Sequence, residues 1–160
     1  MIDLTSTPII ILVILGSVGV ALPVVSIALK ERPSMISYGI ATLIALFASI
    51  GYVLYQLALD HVAPAAIFSQ DVLVDDAFGA LFAIAMLIVA IFTTVGSFSY
   101  MKNKANPSVY FSLILLSTIG MVLVAYSTDL VMLFVAWELM SIPTYILVGF
   151  LKKDPISNEA

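Results

Sequence analysis

The sequence predicts an all-α integral membrane protein with five transmembrane helices. Its 160 residues are 62% hydrophobic and 10% charged, with a mean hydropathy of +1.19. A soluble domain is nearer to about 45–50% apolar and about 25% charged. Five apolar stretches reach the roughly 20 residues that cross a bilayer. No flexible linker interrupts the chain, so we expect residues 1–160 to form one transmembrane unit.

The first two spans are bounded by charged residues. The first is predicted at 8–29 and ends where Lys30 and Arg32 begin a polar turn. It is expected to be retained, because it lacks the basic start of a signal peptide and its apolar run is too long for one. The second is predicted at 35–59 and ends before Asp60 and His61.

The last three spans begin after acidic residues or proline. The third is predicted at 77–98, the fourth at 109–126 after Pro107, and the fifth at 130–151. Asp75, Asp76 and Asp129 precede helix starts, so we expect them to cap free backbone N–H groups. Residues 67–74, in the connection before the third span, have a strand-like pattern and are expected to form a short extended segment at the membrane surface.

Basic residues predict the orientation. All six fall in the connections after spans one, three and five: Lys30, Arg32, Lys102, Lys104, Lys152 and Lys153. Short loops that carry Lys and Arg stay in the cytoplasm. We therefore expect the N-terminus outside and the C-terminus in the cytoplasm.

Glu138 is the only charged side chain inside a predicted span. It lies nine residues after Asp129, about 13 Å along a helix, near the middle of a roughly 30 Å apolar core. A carboxyl there costs about 2.5–3.5 kcal/mol on insertion scales, so such residues are usually functional. Helical spacing places Ser141 and Tyr145 on the same face, which predicts a polar stripe that does not face lipid.

Pro143 adds a second polar element near Glu138. Proline has no N–H and clashes with the carbonyl four residues earlier, that of Leu139. Irregular backbone at membrane depth is tolerated where it is buried in protein or lines a cavity. A carboxyl there can bind a proton away from water and release it near a cation, which is the minimum chemistry of a relay. The alternative is a neutral Glu138 that only hydrogen-bonds a neighbouring helix.

Other chemistry has no residues to support it. The sequence has no cysteine and one histidine, so we expect no thiolate site, iron–sulfur cluster or metal site. No Gly-rich phosphate loop or nucleophile–base set is present. We therefore expect no redox or hydrolytic centre, no cofactor in this chain and no nucleic-acid partner.

Three segments carry a family resemblance: YFSLILLSTIGM at 110–121, STDL at 127–130 and WELMSIPTYIL at 137–147. They resemble the antiporter-like subunits of respiratory complex I. The SIPTY portion is most similar to subunit N of NADH-quinone oxidoreductase and its F420H2-dehydrogenase relatives. Residues 75–78 resemble the acidic entry of the family's third helix, and the match is specific from about Tyr110 onward.

The resemblance implies a role for Glu138. It corresponds to the family's essential glutamate of the fifth helix, which pairs with a lysine on a discontinuous seventh helix and relays protons. The implied function is a membrane subunit, without electron transfer of its own, of a redox-driven proton-pumping NADH- or F420H2-quinone oxidoreductase. Flavin, iron–sulfur clusters and quinone are then expected in partner subunits, and the cytoplasmic membrane is the expected location.

Two departures from the family affect this expectation. The family has about fourteen helices in inverted repeats, whereas this sequence stops after five, so we expect a fragment or one part of a split subunit. The later helices are then partners, on the same protein or a separate chain, and this chain is not expected to be active alone. Val109 also stands where many relatives have an acidic residue.

Two alternatives stay open at this point. One is a subunit of a multisubunit cation/proton antiporter, which shares the Glu-Leu-Met element; the SIPTY segment favours the quinone oxidoreductase over it. The other is a small scaffold membrane protein in which Glu138 is only a packing contact.

Overall fold

Five α-helices account for most of the residues that the structure describes. The computed structural model describes residues 6–28, 34–59, 72–102, 104 and 106–150. The helices are α1 (Thr7–Ala28), α2 (Met35–Ala58), α3 (Ala77–Tyr100), α4 (Pro107–Tyr126) and α5 (Leu130–Val148). Each is long and apolar enough to cross a membrane. The predicted fold class and the number of spans are therefore confirmed.

Helix ends differ from the predicted ones by a few residues, for identifiable reasons. α4 begins at Pro107 rather than at 109, because proline at the first helical position has no N–H to leave unpaired. α3 runs to Tyr100 rather than to 98, because its backbone bonds continue until the Met101 N–H donates to the Ser97 carbonyl. α5 ends at Val148, earlier than the predicted 151, and residue 151 lies outside the described residues.

α4 is the central helix of the bundle. It packs against each of the other four helices, and 61% of its most apolar stretch is buried. Close contact with α1 occurs at Gly19, where an added Cβ would lie 3.6 Å from the Leu115 Cβ. The Ser112 hydroxyl donates to the Gly19 carbonyl at the same crossing. α5 is the least buried helix and packs chiefly against α4.

Two connections are joined at one end of the bundle. Leu73 and Ser127 form an isolated antiparallel β-bridge, and the Val74 N–H donates to the Tyr126 carbonyl at 3.0 Å. The described residues contain no longer strand pairing than this bridge, and residues 67–71 of the predicted extended segment lie outside them. We call this the acidic end, defined by Thr7, Asp75, Asp76 and Asp129. The opposite, basic end carries Lys102 and Lys104.

Candidate functional site

Glu138 lies on the face of α5 that points away from the other helices. α5 buries Ala136 and Pro143, which face α4, and Ala136 is 0% exposed. Glu138 is two residues from Ala136, and residues two apart on a helix point to different sides. Its side chain is therefore exposed in the five-helix bundle. Within the described helices it is the sole Asp, Glu, Lys or Arg.

The predicted stripe of Glu138, Ser141 and Tyr145 follows this outward face, and two apolar side chains continue it toward the start of α5. Val131 is 71% exposed, Phe134 is 64% exposed and Tyr145 is 72% exposed. Ser141 is half-buried, at the edge between the stripe and the α4 contact. One continuous face of α5 thus presents a carboxyl, a phenol and apolar side chains with no covering element among the residues described.

Gly120 fixes the distance between α4 and α5. A Cβ added at this position would lie 2.7 Å from the Met140 Cα and 2.9 Å from the Ala136 carbonyl oxygen, both backbone atoms. Only glycine leaves room for this approach. The crossing point is one turn or less from Glu138, so it also sets the position of the carboxyl.

Hydroxyl groups join the two helices just beyond the crossing. The Ser117 hydroxyl donates to the Met140 carbonyl at 3.2 Å and lies 3.2 Å from the Thr144 hydroxyl. Thr144 Oγ1 donates to the same carbonyl at 2.8 Å. This carbonyl follows that of Leu139, which Pro143 deprives of its usual donor. Polar contacts therefore concentrate in the turn of α5 that contains Pro143.

A groove of ≈ 370 Å³ opens beside these contacts, between α3, α4 and α5. It is lined in part by side chains that carry hydroxyl groups: Thr93, Ser117, Thr118, Ser141, Thr144 and Tyr145. Ser141 and Tyr145 belong both to this lining and to the Glu138 stripe. The groove therefore adjoins the outward face of α5. Most of the surface of the groove is apolar, and the Ser117 and Thr144 hydroxyls already donate to the Met140 carbonyl, so water in the groove has polar partners mainly near α5.

The acidic end holds the residues predicted as helix caps. Asp76 Oδ1 accepts from the Gly79 N–H at 2.7 Å, and Asp129 Oδ2 accepts from the N–H groups of Val131 and Met132 at 3.0 and 3.2 Å. Asp75 does not cap the helix it precedes. Its Oδ2 instead accepts from the Thr7 N–H at 2.7 Å, at the start of α1.

The described part of the chain shows no metal-binding geometry. No group of three or more His, Cys, Asp or Glu side chains lies close enough there to hold a metal ion.

Sequence reasoning missed the residues that position α5. Gly120, Ser117 and Thr144 were not singled out, although small and hydroxyl residues are enriched where membrane helices meet. The spacing of about one turn between Ser117 and Gly120 on α4 was the available signal. It did not specify which helices would meet.

Comparison with known proteins finds similarity to subunits of quinone oxidoreductases and related dehydrogenases. Residues 127–160 match the family described as "NADH:quinone oxidoreductase/Mrp antiporter, TM". The chain is similar to NADH-quinone oxidoreductase subunit N 1 of Solibacter usitatus, with 33% identity over 92% of the chain and 29% of that protein. It is also similar to subunit N 1 of Koribacter versatilis, with 44% identity over 55% of the chain and 17% of that protein.

A third relative has a different electron donor in its name. F(420)H(2) dehydrogenase subunit N of Methanosarcina mazei is 37% identical over 58% of the chain and 19% of that protein. In each of these three alignments the chain spans less than a third of the relative's length. The matched family region contains Glu138 and the whole of α5.

Proposed function

Because this chain is a subunit N-like protein of the antiporter-like membrane family, we propose that it contributes to proton translocation in a redox-driven quinone oxidoreductase. Glu138 is the proton-carrying residue in this proposal. One observation supports it most: the sole charged side chain of the described helices lies on an exposed face of α5. An exposed carboxyl at that depth is stable only if further protein or water covers it.

Further helices provide that cover in the proposed assembly. They belong either to the continuation of the same protein or to a separate chain, and they bring the cationic partner of Glu138. A carboxyl holds its proton in apolar surroundings and releases it when a cation approaches. A cation that moves toward and away from Glu138 therefore drives uptake and release. Residues 1–160 alone hold half of such a pair, so we expect them to be inactive alone.

The groove between α3, α4 and α5, which has hydroxyl groups on its α5 side, supports a path to this carboxyl. Water held by Ser117, Thr144 and Ser141 passes a proton by exchanging hydrogen bonds, and Ser141 is one turn from Glu138. Electron transfer belongs to partner subunits in this proposal, with flavin, iron–sulfur clusters and quinone bound there. The cytoplasmic membrane is the proposed location.

Proton pumping by the assembled complex in sealed vesicles tests the role of Glu138. We expect Glu138→Gln to lower pumping on the order of 10²-fold, the lower end of what a positioned proton-transfer group contributes. Glu138→Asp keeps the carboxyl and should retain part of the activity. Asp129→Asn is the matched control, because it removes a carboxylate that only caps α5. Normal pumping by a fully assembled Glu138→Gln complex would refute the relay role.

An ion-exchange function is the second candidate. The matched family description names an Mrp antiporter beside the quinone oxidoreductase. Native purification from membranes with mass spectrometry of every subunit separates the two. Flavin and iron–sulfur subunits in the same complex support the quinone oxidoreductase, whereas antiporter subunits alone would move the function to cation/proton exchange.

A further inference from the structure

Three buried oxygen atoms at the acidic end have no hydrogen-bond partner among the described residues. They are Thr7 Oγ1, Asp75 Oδ1 and Tyr126 OH. Thr7 is 0% exposed and Tyr126 is 1% exposed. Buried polar groups in folded proteins nearly always have a partner, either in the protein or in ordered water. The three residues lie at the same end of the bundle, so one shared partner is the simplest way to satisfy all three oxygens.

Backbone contacts place the three residues together. The Thr7 N–H donates to Asp75 Oδ2 at 2.7 Å, so the Thr7 side chain lies beside the carboxylate. The Val74 N–H donates to the Tyr126 carbonyl at 3.0 Å, so Asp75 directly follows a residue bonded to Tyr126. The carboxylate of Asp75 is close enough to act electrostatically on the Tyr126 phenol.

The missing side chain at Gly79 leaves room for the Tyr126 ring. A Cβ added at Gly79 would lie 2.7 Å from Tyr126 Cδ1 and 2.9 Å from Asp76 Oδ1. The ring therefore packs against the first turn of α3, next to the Asp76 carboxylate. Because the side chain is buried, its hydroxyl has no route to bulk water and needs a partner within the cluster.

The charges around the cluster favour a neutral ligand. The two carboxylates accept from the first turns of α1 and α3, through the Thr7 and Gly79 N–H groups. Helix N-termini carry partial positive charge, which stabilises ionised carboxylates there. A ligand at this place therefore has to donate and accept hydrogen bonds and does not have to supply positive charge.

We propose that Thr7 Oγ1, Asp75 Oδ1 and Tyr126 OH together bind one water molecule. The water donates to Asp75 Oδ1, accepts from the Tyr126 hydroxyl and makes its third bond with Thr7. Three hydrogen bonds are typical of a buried water. This water links α1 and α4 to the segment that leads into α3, at the end where the two connections form their β-bridge.

High-resolution cryo-electron microscopy of the assembled complex, prepared in sodium buffer, tests this proposal. We expect one density peak at about 2.6–3.2 Å from all three oxygens, the range of hydrogen bonds. Tyr126→Phe removes one partner and should abolish or displace the peak. Tyr38→Phe is the matched control, because Tyr38 OH is also buried and has no partner among the described residues. Tyr38 lies in the first turn of α2, away from the acidic end. This control variant should leave the peak unchanged.

Two results would overturn the proposal. A direct bond between Asp75 Oδ1 and the Tyr126 hydroxyl, with no peak, would show that the cluster satisfies itself. A peak at about 2.3–2.6 Å with additional oxygen ligands would identify a bound cation instead of water. If the Tyr126→Phe complex does not assemble, Thr7→Val makes the same test, because it keeps the backbone N–H that bonds Asp75. A peak unaffected by Thr7→Val would equally contradict the proposed site.

Discussion

Gly120 shows how one missing side chain determines the position of another residue. The backbone of α5 crosses α4 at Gly120, and Glu138 is held by that crossing on the opposite side of α5. Glycine in a helix usually destabilises it by about 1 kcal/mol relative to alanine. Here the close approach of two backbones offsets that cost.

We therefore expect Gly120→Ala to destabilise the protein by about 1–3 kcal/mol, the usual cost of overpacking. The new methyl group meets the Met140 backbone, which cannot rotate away. Thermal unfolding of the purified assembly measures the effect. Gly96→Ala is the control, because nothing lies within 4 Å of a Cβ there. It should be neutral or stabilising, and equal effects of the two variants would show that the crossing is looser than described.

Asp129 stabilises the start of α5 through two backbone N–H groups. Loss of such a cap costs about 1 kcal/mol, so Asp129→Ala should lower stability by that amount. Asp129→Asn keeps an acceptor oxygen and should retain most of the stability that the cap provides. Comparison of the two midpoints of unfolding makes the measurement. Similar losses in both variants would mean that the charge matters more than the hydrogen bonds.

At the scale of elements, α5 packs chiefly against α4 in the described part of the chain and leaves its opposite face exposed. Its contact with α4 combines a glycine crossing with hydroxyl bonds to the Met140 carbonyl. Its other face carries Glu138 and large exposed side chains. We expect further protein to cover this face because it carries a charged side chain at membrane depth, and the chain spans less than a third of each of the three relatives.

The Ser117–Thr144 contact should couple α4 and α5 measurably. In a double-mutant cycle of Ser117→Ala and Thr144→Val we expect a coupling of about 0.6 kcal/mol, the average for hydrogen bonds between membrane helices. Ser117→Ala with Thr93→Val is the control pair, because Thr93 bonds the Val89 carbonyl of its own helix. That pair should be additive within error. Additivity of the first pair would show that the 3.2 Å contact contributes nothing to packing.

Sequence alone predicted the elements well because length and hydropathy determine a membrane span. Each of the five predicted spans overlaps an observed helix. The predicted helix ends are wrong by a few residues, because Pro107 and local backbone hydrogen bonds determine where the helices begin and end. The outward stripe of α5 also follows from helical spacing. The contacts between helices do not follow from helical spacing, because Gly120, Ser117 and Asp75 contact partners that are distant in sequence. Asp75 shows this best, since its partner is 68 residues away.

At the scale of the whole molecule, the acidic and basic ends define opposite sides of the bundle. The positive-inside rule assigns Lys102 and Lys104 to the cytoplasm and the Leu73–Ser127 bridge to the outside. This orientation is a prediction. The absence of cysteine from the sequence makes it directly measurable with single-cysteine variants.

We expect Val72→Cys to react with an impermeant thiol reagent in intact cells and Lys102→Cys to react only after the membrane is opened. Both side chains are exposed in the structure, so accessibility within the protein does not limit either reaction. Labelling in detergent provides the control, since both variants should then react fully. The opposite pattern in intact cells would invert the assigned orientation.

The central position of α4 has a consequence for how the protein is made. The ribosome delivers helices to the membrane in chain order, and α1 to α3 enter before the helix against which all of them pack. Until α4 arrives, the small and hydroxyl residues that later contact it face lipid or the insertion machinery. α1 and α3 also pack against α2, so a partial bundle can form before α4 arrives. We expect the complete bundle to form only after the fourth helix is synthesised.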